Sequence, residues 1–169
     1  MRQRRSVRLR EHTYADGTYF VTVCCHGRQR LFGEVASGEM VRSELGDLAH
    51  DEWERTCQRY EHLHADLFVV MPDHVHMLLA LLPSRLPPLA PETRRTPLPG
   101  TLGAVIGQYK SAVSRHAQRL YLTTRVWQRG YYDRVVRSDR EAENIRRYIA
   151  ENPMRWDALD PGRRDGHRL

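Results

Sequence analysis

The sequence predicts an α+β fold in which a central antiparallel sheet carries helices packed on one face, as in ferredoxin-like and RRM-like sandwiches. The prediction rests on the order of the elements, which runs strand, helix, strand, strand, helix, strand, helix along 169 residues. It rests also on the short connection between the second and third strands, because so short a link joins antiparallel neighbours. No internal repeat or composition break divides the chain, so we expect a single domain over residues 1–169.

Each element is assigned from its residue types and periodicity. Strands are predicted where β-branched and aromatic residues run together between turn residues, and helices where apolar residues recur every three or four positions. Ser43 and either Ser138 or Asp139 are the candidate N-caps, and Pro153 marks the end of the last helix. The predicted strands are residues 19–25, 65–70, 74–82 and 126–138, and the predicted helices are residues 43–60, 101–121 and 139–152.

Three segments fall outside these elements. Residues 1–12 form an arginine-rich arm, residues 83–100 a proline-rich loop whose prolines forbid regular structure, and residues 157–169 a polar tail. No apolar run is long enough to span a bilayer, and the first residues lack the apolar core of a signal peptide. We therefore expect a cytoplasmic protein.

The charge of the chain indicates the kind of partner. The formal net charge is +6 and the pI about 9.6, and Lys110 is the only lysine. A GC-rich genome would account for the use of arginine in place of lysine, but the planar guanidinium also suits phosphate groups. The positive balance favours a polyanionic partner.

Two histidines open the third predicted strand. Because residues i and i+2 of a strand point to the same face, His74 and His76 place two ring nitrogens side by side, where they can bind one divalent metal. The alternative is that both are polar positions of a half-exposed strand. His62 and His64 have the same spacing, but they do not begin a strongly apolar strand after a turn.

The last predicted helix offers a nucleophile and a further ligand. Tyr148 and Asn152 are four residues apart, so they share one helical face about a turn apart. Asn152 can supply a carbonyl oxygen to a metal, and Tyr148 a phenol hydroxyl beside it. The alternative is that Tyr148 belongs to the core and Asn152 caps the helix before Pro153.

Three stretches, "MPDHVH", "WQRGYYDRVVRS" and "NIRRYIAENPMRW", resemble the single-tyrosine HUH transposases. The opening residues 4–33 narrow this resemblance to the REP-associated tyrosine transposases, and it covers nearly the whole chain. The resemblance implies a ferredoxin-like fold and a single-stranded DNA substrate beside an imperfect palindrome that folds into a hairpin. It also implies that His74, His76 and Asn152 hold Mg²⁺ or Mn²⁺ and that Tyr148 is the nucleophile that forms a 5′-phosphotyrosine.

One position departs from the better-known insertion-sequence transposases, which carry glutamine where Asn152 stands. Asparagine is shorter by one methylene, so the helix would have to lie closer to the sheet.

Binding of DNA is assigned to basic side chains, although a solvated surface is the alternative for any one of them. Tyr131 and Tyr132 could stack on unpaired bases. Two other functions remain open: a hairpin-binding regulator with little or no turnover, and an RRM-like RNA binder; the chain could act as a monomer or a homodimer. The candidate DNA-binding residues are Arg4, Arg5, Arg8, Arg10, Lys110, Arg115, Arg119, Arg129 and Arg134.

Overall fold

The computed structural model of the chain describes residues 16–83, 100–121 and 125–159. The basic arm, most of the proline-rich loop and the last ten residues of the tail lie outside these ranges. The strands are β1 (Gly17–Cys24), β2 (Gly33–Ala36), β3 (Glu39–Arg42), β4 (Leu63–Met71), β5 (His74–Leu81) and β6 (Tyr132–Val136), and the helices are α1 (Glu44–Arg59), α2 (Leu102–Tyr121), α3 (Asp139–Ala150) and α4 (Asn152–Leu159).

The predicted α+β fold class is confirmed. Four strands form an antiparallel sheet in the order β4-β5-β1-β6, so β5 and β1 are the central strands. Apart from an additional short hairpin and an additional last helix, α4, which includes the first three residues of the predicted polar tail, the elements follow one another in the predicted order. None of the helices in the described ranges is long and apolar enough to cross a membrane.

The main core lies between one face of the sheet and the two longer helices. Alternate residues of β5 point toward this core, and each is almost fully buried: Val75, Met77, Leu79 and Leu81. Aromatic side chains from three elements meet there, since Trp53 of α1 contacts Tyr109 of α2 and Phe68 of β4. Burial of each large apolar side chain stabilises the fold by about 1.5–3 kcal/mol.

The distribution of the helices over the two faces differs from the prediction that all would pack on one face. Helix α3 packs on the opposite face, where Ile145 and Ile149 form a second apolar cluster with Leu78 of β5. The physical reason is that β1 and β5 carry apolar residues on both faces. A sheet buried on both faces needs a cover on each.

A short hairpin, β2–β3, was not predicted from the sequence. Its turn residues Ser37 and Gly38 have φ values of 55° and 78°, the double positive φ of a two-residue hairpin turn. The Ser-Gly pair is a recognised turn signal, but the strands beside it are only four residues long. The hairpin contacts α4.

The two predicted N-caps are present. The Ser43 hydroxyl accepts a hydrogen bond from the amide of Gly46 at 3.1 Å, and the Ser138 hydroxyl accepts one from Glu141 at 3.2 Å. Of the two candidates for the last cap, Ser138 is therefore the one used, and Asp139 is the first residue of α3. These bonds satisfy amide groups that a helix leaves without an internal partner.

Candidate active site

The β4–β5 hairpin brings the two histidines onto the face covered by α3. Pro72 and Asp73 form its tight turn, and β5 begins at once with His74. His74 and His76 are 5% and 4% exposed, and their Nε2 atoms lie 3.0 Å apart. The prediction that both rings share one face is therefore met by the structure.

The other nitrogen of each ring is held by a neighbouring side chain. Nδ1 of His74 lies 2.6 Å from Oδ1 of Asp73, and Nδ1 of His76 lies 2.8 Å from Oγ1 of Thr22. Arg28 in turn donates from Nε to Oδ2 of Asp73 at 2.8 Å. A ring that donates from Nδ1 to a carboxylate, a backbone carbonyl or water is the usual arrangement of a histidine that binds metal through Nε2, and the Asp73–His74 pair fits it.

Burial also sets the protonation of His76. Desolvation, with the charges of His74 and Arg28, lowers the pKa of His76 to about 3. At neutral pH this imidazole is therefore uncharged, and a neutral ring keeps a lone pair on one nitrogen. An uncharged imidazole is the form that binds a metal.

The spacing of the two Nε2 atoms fits a divalent cation. Two ligands about 2.1 Å from a cation and at a right angle to each other, as in octahedral coordination, lie about 3.0 Å apart. The observed separation is 3.0 Å. Nitrogen ligands suit Mn²⁺ better than Mg²⁺, while an amide oxygen suits both.

Helix α3 brings Tyr148 next to this pair. The Tyr148 ring lies edge-on to Phe20, with the centroids 6.0 Å apart, and 5.4 Å from the ring of His76. Tyr148 is nevertheless 39% exposed. The helix is anchored to the sheet edge by Arg146, which donates from Nε and Nη2 to the carboxylate of Asp66 on β4.

Asn152 is buried, at 6% exposure, but it is not on the same helix as Tyr148. Helix α3 ends at Ala150, and Asn152 is the first residue of α4. The predicted helix was too long because Pro153 has no amide hydrogen to donate to the carbonyl of Ile149. At the end of α3 the amide of Glu151 donates to the carbonyls of both Arg147 and Ile149.

Helix α4 also contributes an aromatic side chain near His74. The ring of Trp156 lies 5.7 Å from the ring of His74, and the guanidinium of Arg30 lies 5.8 Å from the Trp156 ring centroid. Trp156 therefore packs between a basic side chain and the histidine pair.

The candidate DNA-binding residues are spread over the molecule. Arg115 and Arg119 are exposed on α2, the layer opposite the histidines, and Arg129 is exposed in the loop before β6. Arg134 pairs with Glu141 of α3 at 2.6 Å. The four arm residues, Arg4, Arg5, Arg8 and Arg10, lie outside the described residues.

Lys110 has a structural role in addition to carrying a positive charge. Its ammonium donates to the carbonyls of Gln128 and Gly130 at 2.8 and 2.6 Å, which holds the loop before β6 against α2. Burial lowers its pKa to about 8.

Two other groups of potential ligands differ from the central pair. His62 directly precedes β4 and its ring contacts Tyr60 edge-on, while His64 is the second residue of that strand. A cluster of His50, Asp51 and Glu54 on α1 is largely exposed, and such clusters are common on protein surfaces without a bound ion.

Three residues beside the histidine pair were not predicted from the sequence: Thr22, Asp73 and Trp156. Asp73 carried a signal, since it directly precedes His74 in the turn. Thr22 did not, because it is 54 residues from His76 and only the pairing of β1 with β5 brings them together.

Comparison with known proteins shows that the fold of the chain is a known one. No family model matches the chain. A solved REP-associated tyrosine transposase, bound to a REP hairpin, superposes with a TM-score of 0.60 and 16% identity over 92% of this chain and 74% of that one. A structure from Deinococcus radiodurans aligns at a TM-score of 0.48 and 17% identity, over 89% of this chain and 96% of that one.

The fold is therefore that of a REP-associated tyrosine transposase, and the resemblance inferred from the sequence is confirmed at the level of the fold. A protein of Haemophilus influenzae, described only as uncharacterized, is 31% identical over 91% of this chain and 90% of its own length. The chain belongs to the same family as this Haemophilus protein.

Proposed function

We propose that the chain cleaves and rejoins single-stranded DNA beside palindromic hairpin elements. Tyr148 is the nucleophile, and His74, His76 and Asn152 hold Mg²⁺ or Mn²⁺. The observation that carries the proposal is the position of Tyr148, whose ring lies 5.4 Å from that of His76 although the side chain stays 39% exposed. A reachable phenol beside two paired imidazoles supports metal-assisted attack on a phosphodiester.

The reaction follows from the chemistry of these groups. The phenol of Tyr148 loses its proton and attacks the phosphorus, the bond from phosphorus to the 3′-oxygen breaks, and that oxygen takes up a proton. The products are a 5′-phosphotyrosine and a 3′-hydroxyl. A bound divalent cation would withdraw charge from a non-bridging oxygen of the phosphodiester. Because the tyrosine ester retains the energy of the broken bond, a second 3′-hydroxyl can be joined without ATP.

The other tyrosines fit the role less well. Tyr109 is fully buried, and burial raises its pKa well above the usual range, so its phenol can neither reach DNA nor ionise readily. Tyr132 is the exposed alternative on the sheet, at 41% exposure. It lies on β6 and pairs with Thr22, which separates it by one strand from His76.

Hairpin DNA is proposed as the substrate from two observations. The solved transposase of the same fold is bound to a REP hairpin. The chain also carries a formal net charge of +6, which suits a polyanion. A DNA substrate of this kind would place the protein in the cytoplasm.

The RNA-binding alternative is weakened by the position of α3. An RRM-like binder displays aromatic side chains on the central strands of an open sheet face. Here Tyr19 of β1 is fully buried in the main core, and the neighbouring Phe20 packs against Tyr148 and His76 under α3. These aromatics are not displayed to a nucleic acid.

Formation of a covalent adduct tests the proposal. Tyr148→Phe, which removes only the hydroxyl, should abolish the protein–DNA adduct formed with a labelled hairpin oligonucleotide and Mn²⁺, while the affinity for the hairpin stays within about twofold of that of the wild type. Tyr132→Phe is the matched control, because Tyr132 is equally exposed, and it should retain the adduct. The readout is a denaturing gel.

An adduct that persists in Tyr148→Phe and disappears in Tyr132→Phe would transfer the nucleophile to β6. Hairpin binding by the wild type with no adduct under any metal would favour the hairpin-binding regulator with little turnover.

A further inference from the structure

The two histidines of the site have hydrogen-bond partners of different kinds. Nδ1 of His74 faces a carboxylate oxygen of Asp73 at 2.6 Å, whereas Nδ1 of His76 faces the hydroxyl of Thr22 at 2.8 Å. A carboxylate can only accept, but a hydroxyl can donate or accept. His74 must therefore carry a hydrogen at Nδ1, while His76 can carry its hydrogen at either nitrogen.

Arg28 fixes the orientation of the Asp73 carboxylate. Its Nε donates to Oδ2 at 2.8 Å, and its Nη1 lies 3.0 Å from Sγ of Cys24. Arg28 adopts a φ of 57° directly after Gly27, whose φ is 61°, so the backbone takes a left-handed turn that residues other than glycine rarely adopt. Asp73 is 4% exposed, so its carboxylate has little access to water.

The 3.0 Å separation of the two Nε2 atoms requires a hydrogen between them when no cation is present. A neutral His74 has no hydrogen at Nε2, because its one ring hydrogen is committed to Asp73. With His74 neutral, the hydrogen between the two rings lies on Nε2 of His76. Nδ1 of His76 then accepts a hydrogen bond from the Thr22 hydroxyl.

Building on the proposed metal function, we infer that Asp73 and Arg28 keep His74 in the tautomer that can bind a metal through Nε2. Thr22, in contrast, allows His76 to change to that tautomer when a divalent cation binds. On binding, the N–H bond at Nε2 of His76 breaks and one at Nδ1 forms, so the proton count of the ring is unchanged. The Thr22 hydroxyl rotates from donor to acceptor. Thr22, Asp73 and Arg28 are thus positioning residues that need not touch the cation.

The substitution Asp73→Asn tests the role of the carboxylate. Arg28 can only donate, so it keeps the amide oxygen and turns the amide nitrogen toward Nδ1 of His74. His74 then carries its hydrogen at Nε2 and loses the lone pair that faces a cation. The affinity for Mn²⁺ should fall about 10- to 100-fold, as is typical when a partner of a metal-binding histidine is changed.

A second substitution should reverse part of this loss. In the double variant Arg28→Ala with Asp73→Asn, the amide can rotate and present its oxygen to Nδ1 of His74. The double variant should therefore bind Mn²⁺ more tightly than Asp73→Asn alone. Arg28→Ala in the wild-type background measures how removal of the positive charge alone changes the affinity for Mn²⁺. The gain in Mn²⁺ affinity from Asp73→Asn to the double variant must exceed that change.

Asp47→Asn is the matched control. Asp47 also accepts from Nε of an arginine, Arg42, at 2.7 Å, but it lies on α1, which packs on the opposite face of the sheet from His74 and His76. It should leave Mn²⁺ binding unchanged. Thr22→Val should weaken Mn²⁺ binding because His76 loses the acceptor for its Nδ1 hydrogen, and Thr22→Ser should not.

The decisive measurement is the position of the ring hydrogens in the metal-free wild-type protein at pH 8, from ¹⁵N-detected long-range NMR couplings, with Mn²⁺ binding measured in parallel by calorimetry. We expect His74 with hydrogen on Nδ1 and His76 with hydrogen on Nε2. A hydrogen on Nε2 of His74 would overturn this inference even if Mn²⁺ binds. The expected tautomers without any binding of Mn²⁺ would instead overturn the proposed metal function and leave the orientation of His74 by Asp73 standing.

Discussion

At the scale of single residues, the register of the sheet shows which side chains border the histidines. Thr22 of β1 pairs with His76 on one side and with Tyr132 of β6 on the other. Directly opposed residues of an antiparallel pair share a face of the sheet. Tyr132, at 41% exposure, is thus an exposed aromatic ring on the same face as the site.

This position predicts that Tyr132 stacks on an unpaired base of the substrate. Tyr132→Ala should weaken binding of a single-stranded oligonucleotide by about 1–3 kcal/mol, whereas Tyr132→Phe, which keeps the ring, should bind like the wild type. Fluorescence anisotropy with one labelled oligonucleotide measures both variants. Equal affinities for Tyr132→Ala and the wild type would exclude a stacking role.

At the scale of the elements, the effect of replacing a helical glycine depends on close packing and not on helix propensity alone. Two helical glycines differ sharply in their surroundings: a Cβ on Gly46 of α1 would lie 2.1 Å from the carbonyl oxygen of Phe32, while a Cβ on Gly107 of α2 would meet nothing within 4 Å. Helix α1 therefore lies against the segment that leads into β2, and glycine is what permits the approach.

Alanine at these two positions should have opposite effects. Gly107→Ala should raise the free energy of unfolding by about 0.5–1 kcal/mol, the usual gain in a helix interior. Gly46→Ala should lower it by about 1–3 kcal/mol, because the helix must shift away from a backbone oxygen. Urea denaturation of both variants checks the pair, and a stabilising Gly46→Ala would contradict the close approach.

At the scale of the whole molecule, the buried histidine couples stability to pH. The pKa of His76 is about 3 in the folded protein, against an ordinary value of 6.5. The unfolded chain therefore takes up the proton first. The contribution of His76 to stability is fully present above pH 6.5 and is lost as the pH falls toward 3.

The free energy of unfolding of the metal-free protein should thus fall between pH 6.5 and pH 3, with this residue contributing at most about 1.4 kcal/mol per pH unit. His76→Gln should flatten this dependence. His64→Gln, which changes an exposed ring on β4, should leave it as in the wild type. Denaturation curves at several pH values compare the three proteins, and equal slopes for the wild type and His76→Gln would rule out the coupling.

The arginine arm predicts how the whole molecule responds to salt. Residues 2–10 hold five arginines and no acidic residue, so they repel one another until a polyanion neutralises them. Binding to duplex DNA weakens by about 0.9 log unit per log unit of salt for each phosphate neutralised. Deletion of residues 1–10 should therefore weaken hairpin binding and flatten its salt dependence, as measured by affinity across a salt series. Superimposable slopes would show that the binding charge lies elsewhere.

Local patterns in the sequence were sufficient for the fold class and for the central members of the candidate site. Alternation with a period of two places His74 and His76 on one face of a strand wherever that strand packs. Helical periodicity likewise identified the segments of α1, α2 and α3, and Ser43 and Ser138 mark where two of these helices begin. These features depend on a residue and its near neighbours, so they can be inferred from the chain alone.

The face on which α3 packs, the start of a separate helix α4 at Asn152 and the partners of the histidines required the tertiary structure. Periodicity shows that a strand such as β5 is apolar, but not which helix covers each of its faces. Thr22 meets His76 across 54 residues of sequence, and Arg28 reaches Asp73 from a separate loop. Such contacts arise from strand register and loop path, which no local pattern encodes, and they decide how the two imidazoles are held.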